Sequence, residues 1–507
     1  GLWAMYGVGT LFVGVTRKLR PLRFLALLLL AGATIKVLVV DLSYYNAQWH
    51  MLIVNQTFSA FALVVIALAL GARFYAQGQK ADAEERNIAL PLLIGVANVL
   101  LIIGLSAEAV GHFDREQAIA GGEAIAYFEN TKQLALSAVW IIYGATSLVV
   151  GIRRRSEALR IGSLILLALA TVKVVSVDLG FYDARWHTLF FNPTFAACVL
   201  LVGALAAGAW FYARGEDIAD KERALVSLIL AGAANLLAVI ALSAEAIGYF
   251  GRAKAQVAVQ LSSEISRLDN NEHLVLTALW TIYGGAALII GIKRGSRALR
   301  LGALMLLVVA TFKLLTIDLK YYRAPWHTLV FNDTFAAFAL IILALASSVW
   351  FYSRAEDIDE DERSMVIPLM VGAFNVLAIG GLSAEVLGYF GKNMRAGGVS
   401  SEDLRDLHLA RQLWLSLVWA IYGGAMLTIG IAWRSKLLRL MALLLLGLTI
   451  FKVFLLDLSS LEKLYRIISF IALGAILLAV SFLYQRYRQR MAELIGDAET
   501  PEPLSAE

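Results

Sequence analysis

Apolar runs of roughly 17 to 25 residues follow one another along almost the whole chain, each long enough to cross a ~30 Å hydrocarbon core as a helix. Counting about 15 such runs between short polar breaks predicts an all-α integral membrane protein with about 15 transmembrane helices. The runs are not independent. Aligning Trp3, Trp140, Trp280 and Trp419 brings Tyr6, Tyr143, Tyr283 and Tyr422 into register, each followed by glycine, at spacings of 137, 140 and 139 residues. Self-similarity at a nearly fixed period marks internal repetition, and the chain reads as four tandem units. Each full unit predicts four helices: one opening with W-x-x-Y-G, one ending in K-x4-D-L, one starting after N-x-T-F and one ending in L-S-A-E. The expected divisions are 1–132, 133–272, 273–411 and a three-helix unit at 412–487. A tail at 488–507, acidic and proline-containing after a basic start, reads as disordered. "LALSAV" precedes Trp140 whereas only two residues precede Trp3, so the first helix is expected to be truncated at its start.

Four spans return the chain to its starting side, so successive units share one orientation and the pattern is not that of an inverted repeat. Units related by rotation about the membrane normal, or laid out as an arc, both satisfy it. The loops between first and second helices are basic in every unit: "RKLRPLR" (17–23), "RRRSEALR" (153–160), "KRGSRALR" (293–300) and "RSKLLR" (434–439). The positive-inside rule places them in the cytoplasm, which makes the C-terminus cytoplasmic as well. Loops between third and fourth helices, such as "RGEDIADKER", then face the same side. There Asp82 with Glu85, and Asp359 with Glu362, have the spacing of a capping box.

Composition agrees with the pattern: 60% of residues are hydrophobic and 16% charged, with a mean hydropathy of +0.72. The net charge of +5 does not point to nucleic acid, because the Lys and Arg sit mainly in the short loops that set topology. A single cysteine, Cys198, lies in an apolar run and excludes an intrachain disulfide. No cleavable signal peptide is visible.

The polar residues inside the apolar runs are the candidate chemistry. Lys173 stands five positions before Asp178, about 140° away around an ideal helix, so the two are not expected to face each other. An ammonium in the bilayer needs a partner, and Glu245 in "LSAEAIGYF" lies five residues from its helix's apparent outer end, at the same expected depth of ~7.5 Å. The expected ion pairs are therefore Lys173 with Glu245, Lys36 with Glu108, and Lys313 with Glu385. Lys452 belongs to a unit without a fourth helix, where Glu462 offers a substitute. The outer loops carry a second set of binding candidates: Asp41, Trp49 and His50; Asp178, Trp186 and His187; Asp318, Trp326 and His327. In these loops Asn192 before Pro193 reads as a helix N-cap, and the aromatics read as an interfacial belt. Asn98, Asn235 and Asn375 read as glue between helices.

Three of the six histidines recur in Trp-His pairs, yet no second histidine or cysteine stands at ligand spacing, so neither a metal nor a cofactor is expected. No G-x-S-x-G, P-loop, zinc signature or cysteine nucleophile is present, and three copies of one constellation suggest a reused structural unit. The leading expectation is a non-enzymatic envelope scaffold that binds membrane lipids, a glycan or a periplasmic protein on its outer face. The alternatives are a transporter using the intramembrane Lys and Glu, and an outer-leaflet transferase with Asp178, His187 and Glu245 as acid and base.

The last unit carries a resemblance to a known family. Its W-x-x-Y-G at Trp419 to Gly423, K-x4-D-L at Lys452 to Leu458 and L-Y-R-x-x-S-F at Leu464 to Phe470 resemble the C-terminal end of a bacterial family of predicted multi-spanning membrane proteins catalogued as domain of unknown function 2339. Earlier units match the pattern more loosely, the Trp-His loops being a departure from it. Members of that family are longer, often with a segment before the spans. The resemblance implies a multi-pass protein of the bacterial inner membrane and supplies no activity.

Overall fold

The computed structural model describes residues 1–45, 51–77, 83–119, 121–182, 188–257, 262–323, 328–330, 332–395 and 400–457, together with 471 and 478. Among the described residues there are no strands. The chain runs through α1 (Leu2–Thr16), α2 (Arg20–Val39), α3 (Gln56–Gln77), α4 (Ala83–Ile119), α5 (Glu123–Arg153), α6 (Glu157–Ser176) and α7 (Pro193–Ala213). It continues through α8 (Asp220–Gln256), α9 (Ser262–Lys293), α10 (Arg297–Thr316), α11 (Asp333–Arg354), α12 (Glu360–Met394), α13 (Ser401–Ala432) and α14 (Lys436–Lys452). The protein is an all-α membrane protein: 13 of these helices are long and apolar enough to cross a bilayer, and α1 is a shorter apolar helix. Helices are the form such runs must take, because hydrocarbon offers no partner to an unpaired backbone amide. The remaining expected span, in the last unit, lies outside the described residues, as does the tail at 488–507.

The chain divides into two compact units, Gly1–Thr311 and Phe312–Glu507. In the first, α1 to α4 close around Leu11, Leu30, Phe61 and Leu100, and α5 to α8 close around Ile141, Leu148, Leu167 and Leu201. In the second, Met426, Leu438 and Ala442 form a core between α13 and α14.

Local sequence sets the joints. Ser156 caps α6 by accepting from the Leu159 amide, and Asn192 caps α7 by accepting from Phe195, with Pro193 at the first helical position. The glycine of each W-x-x-Y-G lets the following helix approach. A Cβ on Gly7, Gly144, Gly284 or Gly423 would come within 3.0 to 3.2 Å of Leu30, Leu167, Leu307 or Leu446.

Helix lengths alternate in a way the apolar pattern does not reveal. α7 has 21 residues, whereas α4 and α8 have 37 and α12 has 35. At 1.5 Å per residue a 37-residue helix is about 55 Å long, far more than a ~30 Å core requires.

Candidate functional site

The polar side chains in the spans gather at separate levels along the helices. At the end of α6 away from the basic loops, the helix stops at Ser176, Val177 turns at φ −115° and ψ −56°, and a one-turn 3₁₀ segment starts at Asp178. This break returns Asp178 to the side of Lys173. Lys173 Nζ donates to Asp178 Oδ1 at 2.7 Å, to Ser137 Oγ at 2.8 Å and to the Gln133 carbonyl at 2.8 Å. Ser137 in turn donates its hydroxyl proton to Asp178 Oδ2. Ser137 and Asp178 have no exposed surface. The arrangement recurs: Lys36 Nζ lies 2.5 Å from Asp41 Oδ1, and Lys313 Nζ 2.7 Å from Asp318 Oδ1. Lys452 donates to Ser416 Oγ at 2.6 Å and to the Gln412 carbonyl at 3.0 Å.

The expected pairing of Lys173 with Glu245 is therefore not what forms, and helix geometry gives the reason. Arg160 on α6 and Glu222 on α8 meet at 3.3 Å, which fixes a common level. Lys173 is 13 residues beyond it, about 20 Å, while Glu245 is 23 residues beyond it, about 35 Å. α8 does not end near Phe250 but runs to Gln256, so five residues from the apparent end was the wrong depth. The same holds for Lys36 and Glu108, since Lys36 bonds Asp41 and α4 runs to Ile119. In the third pair Lys313 holds Asp318, and Glu385 accepts from the Val330 amide and Asn332 Nδ2.

What the glutamates hold is the loop that begins the third helix. Glu245 Oε1 accepts from Asn192 Nδ2 at 2.8 Å and Oε2 from the Phe190 amide at 3.0 Å. Glu108 accepts from Asn55 Nδ2 at 2.6 Å and the Ile53 amide at 2.7 Å. Glu385 accepts from Asn332 Nδ2 and the Val330 amide, both at 2.7 Å. Ile53, Phe190 and Val330 have φ of 65°, 61° and 63°, the left-handed region that bulky and β-branched residues avoid. The carboxylate thus fastens a strained turn and the N-cap asparagine together, which is why N-x-T and L-S-A-E occur as a set.

Two more ties account for the remaining motifs. Trp140, Trp280 and Trp419 each donate their indole N–H to Ser106, Ser243 and Ser383 at 2.8 to 2.9 Å. Tyr143, Tyr283 and Tyr422 donate to Asn98, Asn235 and Asn375 at 2.5 to 2.9 Å. These tryptophans and tyrosines bind α5 to α4, α9 to α8 and α13 to α12. The asparagines are the interhelical glue expected of them.

At the basic-loop end, Arg23 makes two bonds to Glu85 at 2.8 and 2.6 Å, and Tyr75 donates to the same carboxylate at 2.6 Å. Arg160 and Tyr212 meet Glu222 in the same way, and Tyr352 meets Glu362 at 3.0 Å. This corrects the capping-box reading: Asp359 makes no side-chain cap, and Asp82 lies outside the described residues. The signal was present as a constant spacing of 62 residues from Arg23 to Glu85 and from Arg160 to Glu222.

A serine beside a lysine can act as nucleophile and base, but here the pair also holds Asp178 and Ser137 has no surface for a substrate to reach. No group of metal-ligating side chains occurs among the described residues. Trp49, His50, Trp186, His187, Trp326 and His327 lie outside the described residues, whereas Asp41, Asp178 and Asp318 are bound to lysine rather than presented outward.

The family model described as "Predicted membrane protein (DUF2339)" matches residues 45–186, 180–326 and 323–487. No curated protein and no solved structure matches. The chain belongs to this family of predicted membrane proteins.

Proposed function

We propose that this family member is a non-enzymatic scaffold of the bacterial inner membrane, built from four tandem units that share one orientation and with its C-terminus in the cytoplasm. The observation that carries this reading is that, among the described residues, the recurring Lys, Asp and Glu of the helices are bonded to groups of their own chain. Lys173 uses three acceptors, and both oxygens of Glu245 receive a donor. A group that carries protons or substrate must exchange partners, and these are committed to turns and caps that the fold needs. The lysine-to-aspartate bond recurs at Lys36 and Lys313, and the glutamate-to-loop bonds recur at Glu108 and Glu385, which fits a structural module used repeatedly better than several transport or catalytic sites. The outer loops with their Trp-His pairs remain the proposed surface for lipid, glycan or a periplasmic protein.

The test is to purify Lys173→Met, Asp178→Asn and Glu245→Gln variants and compare yield, monodispersity and unfolding midpoint with the wild type. The scaffold reading expects all three to lose stability. A Glu245→Gln protein that unfolds like the wild type but abolishes a pH-dependent uptake would replace it with transport.

A further inference from the structure

Between α4, α5 and α6 lies a groove of about 770 Å³ whose lining is almost wholly apolar. Along α4 it extends from Ile94 to Val110, 16 residues or about 24 Å. Its lips, Val99, Ile165 and Leu169, are more than half exposed, so the groove opens sideways from the spans into the bilayer. Gly95 and Gly162 keep it open, since a Cβ on either would meet no atom within 4 Å. The volume is that of a ligand pocket, and none of the described residues fills it.

Two further features bear on the occupant. A shorter groove of about 400 Å³ lies at the corresponding place between α8, α9 and α10. Ser243, Trp280 and Leu306 there take the positions of Ser106, Trp140 and Leu166. The second groove lacks the stretch nearest the basic loop. Only the first continues to Ala158 and Leu159, immediately after "RRRS" at 153–156. In that loop Arg155 is paired with Asp217 and Arg153 lies over the Phe211 ring, but Arg154 is exposed and has no side-chain partner among the described residues.

We propose that the α4–α5–α6 groove is a lipid site, holding the acyl chains of an anionic phospholipid from the leaflet at the basic loops with its phosphate at Arg154. An acyl chain supplies the long, purely apolar body that the walls require. A leaflet is about 15 Å deep, so a chain entering at Ala158 reaches past Gly162 and Gly95 without leaving the groove. A cation beside the mouth prefers an anionic head over a zwitterionic one. This site is distinct from the outer loops and stands whether or not those loops bind a partner.

The experiment uses the full chain, reconstituted in equal amounts of phosphatidylglycerol and phosphatidylethanolamine, stripped by a fixed detergent wash and examined by native mass spectrometry. The wild type is expected to retain phosphatidylglycerol adducts. Gly162→Leu, which fills empty space, should lower that retention at least fivefold with an unchanged unfolding midpoint. Arg154→Ala should keep an adduct but lose the preference for phosphatidylglycerol. Gly95→Leu gives a second occlusion of the same groove if Gly162→Leu does not fold. Undiminished retention in the folded occluded variant, or no headgroup preference in the wild type, would overturn the proposal. So would a wild-type dimer without lipid that the occluding variant dissociates, since a second copy would then be the occupant.

Discussion

Replacing Asp178 by alanine removes the one anion that faces Lys173 among the described residues, in a site with no exposed carboxylate surface. Breaking a buried ion pair by deleting one partner costs about 3 to 5 kcal/mol, because the other charge is left uncompensated. Lys173 would keep the Gln133 carbonyl and Ser137 Oγ as neutral acceptors, which places the loss near the lower end, about 3 kcal/mol. That corresponds to about two orders of magnitude in the unfolding equilibrium. Lys173→Met should cost a similar amount, since it leaves a carboxylate with only the Ser137 hydroxyl. The double variant removes both charges and should be less unstable than the sum by about 2 kcal/mol or more. The assay is reversible unfolding of purified protein in mixed micelles, followed by tryptophan fluorescence for the wild type and the three variants. A single variant within about 0.5 kcal/mol of wild type, or an additive cycle, would refute the claim that this pair is a buried structural lock.

Other substitutions probe the remaining ties. Ser106→Ala should cost about 0.6 kcal/mol in the same unfolding assay and lose that effect in a Trp140→Phe background, because its hydroxyl accepts from the Trp140 indole. Asn192→Ala removes the cap on Phe195 and one donor to Glu245, so a loss of about 1 to 2 kcal/mol is expected, read as a lower midpoint. Gly248→Ala would drive a methyl into the Tyr182 carbonyl and should cost about 1 to 3 kcal/mol, whereas Gly232→Ala meets no atom within 4 Å and should be neutral or slightly stabilising.

Much of the architecture was legible because the membrane imposes it. Long apolar runs have one solution in hydrocarbon, and the described residues of those runs are helical throughout. The partners of the ionic residues were not legible, for two reasons. A projection onto an ideal helix fails where the helix stops, and α6 stops at Ser176, two residues before the aspartate it was meant to carry. Depth counted from the end of an apolar run fails where a helix continues as a polar one, as α8 does from Phe250 to Gln256.

The tie from tryptophan to serine was hidden for another reason. Its separation drifts from 34 to 37 and 36 residues, because the connection between the helices varies in length. The Arg–Glu spacing of 62 never drifts, and constancy of that kind is the stronger sign of contact.

The central claim, that the recurring charges on the spanning helices are architecture, is tested most directly by charge movement in the intact protein. Wild type and Glu245→Gln would be adsorbed as proteoliposomes on a solid-supported membrane and exposed to a pH jump, with unfolding midpoints measured on the same preparations. The account predicts no protein-dependent transient current in the wild type and a lowered midpoint in Glu245→Gln. A transient current in the wild type that disappears in a variant of unchanged midpoint would contradict it and make Glu245 a proton-carrying group.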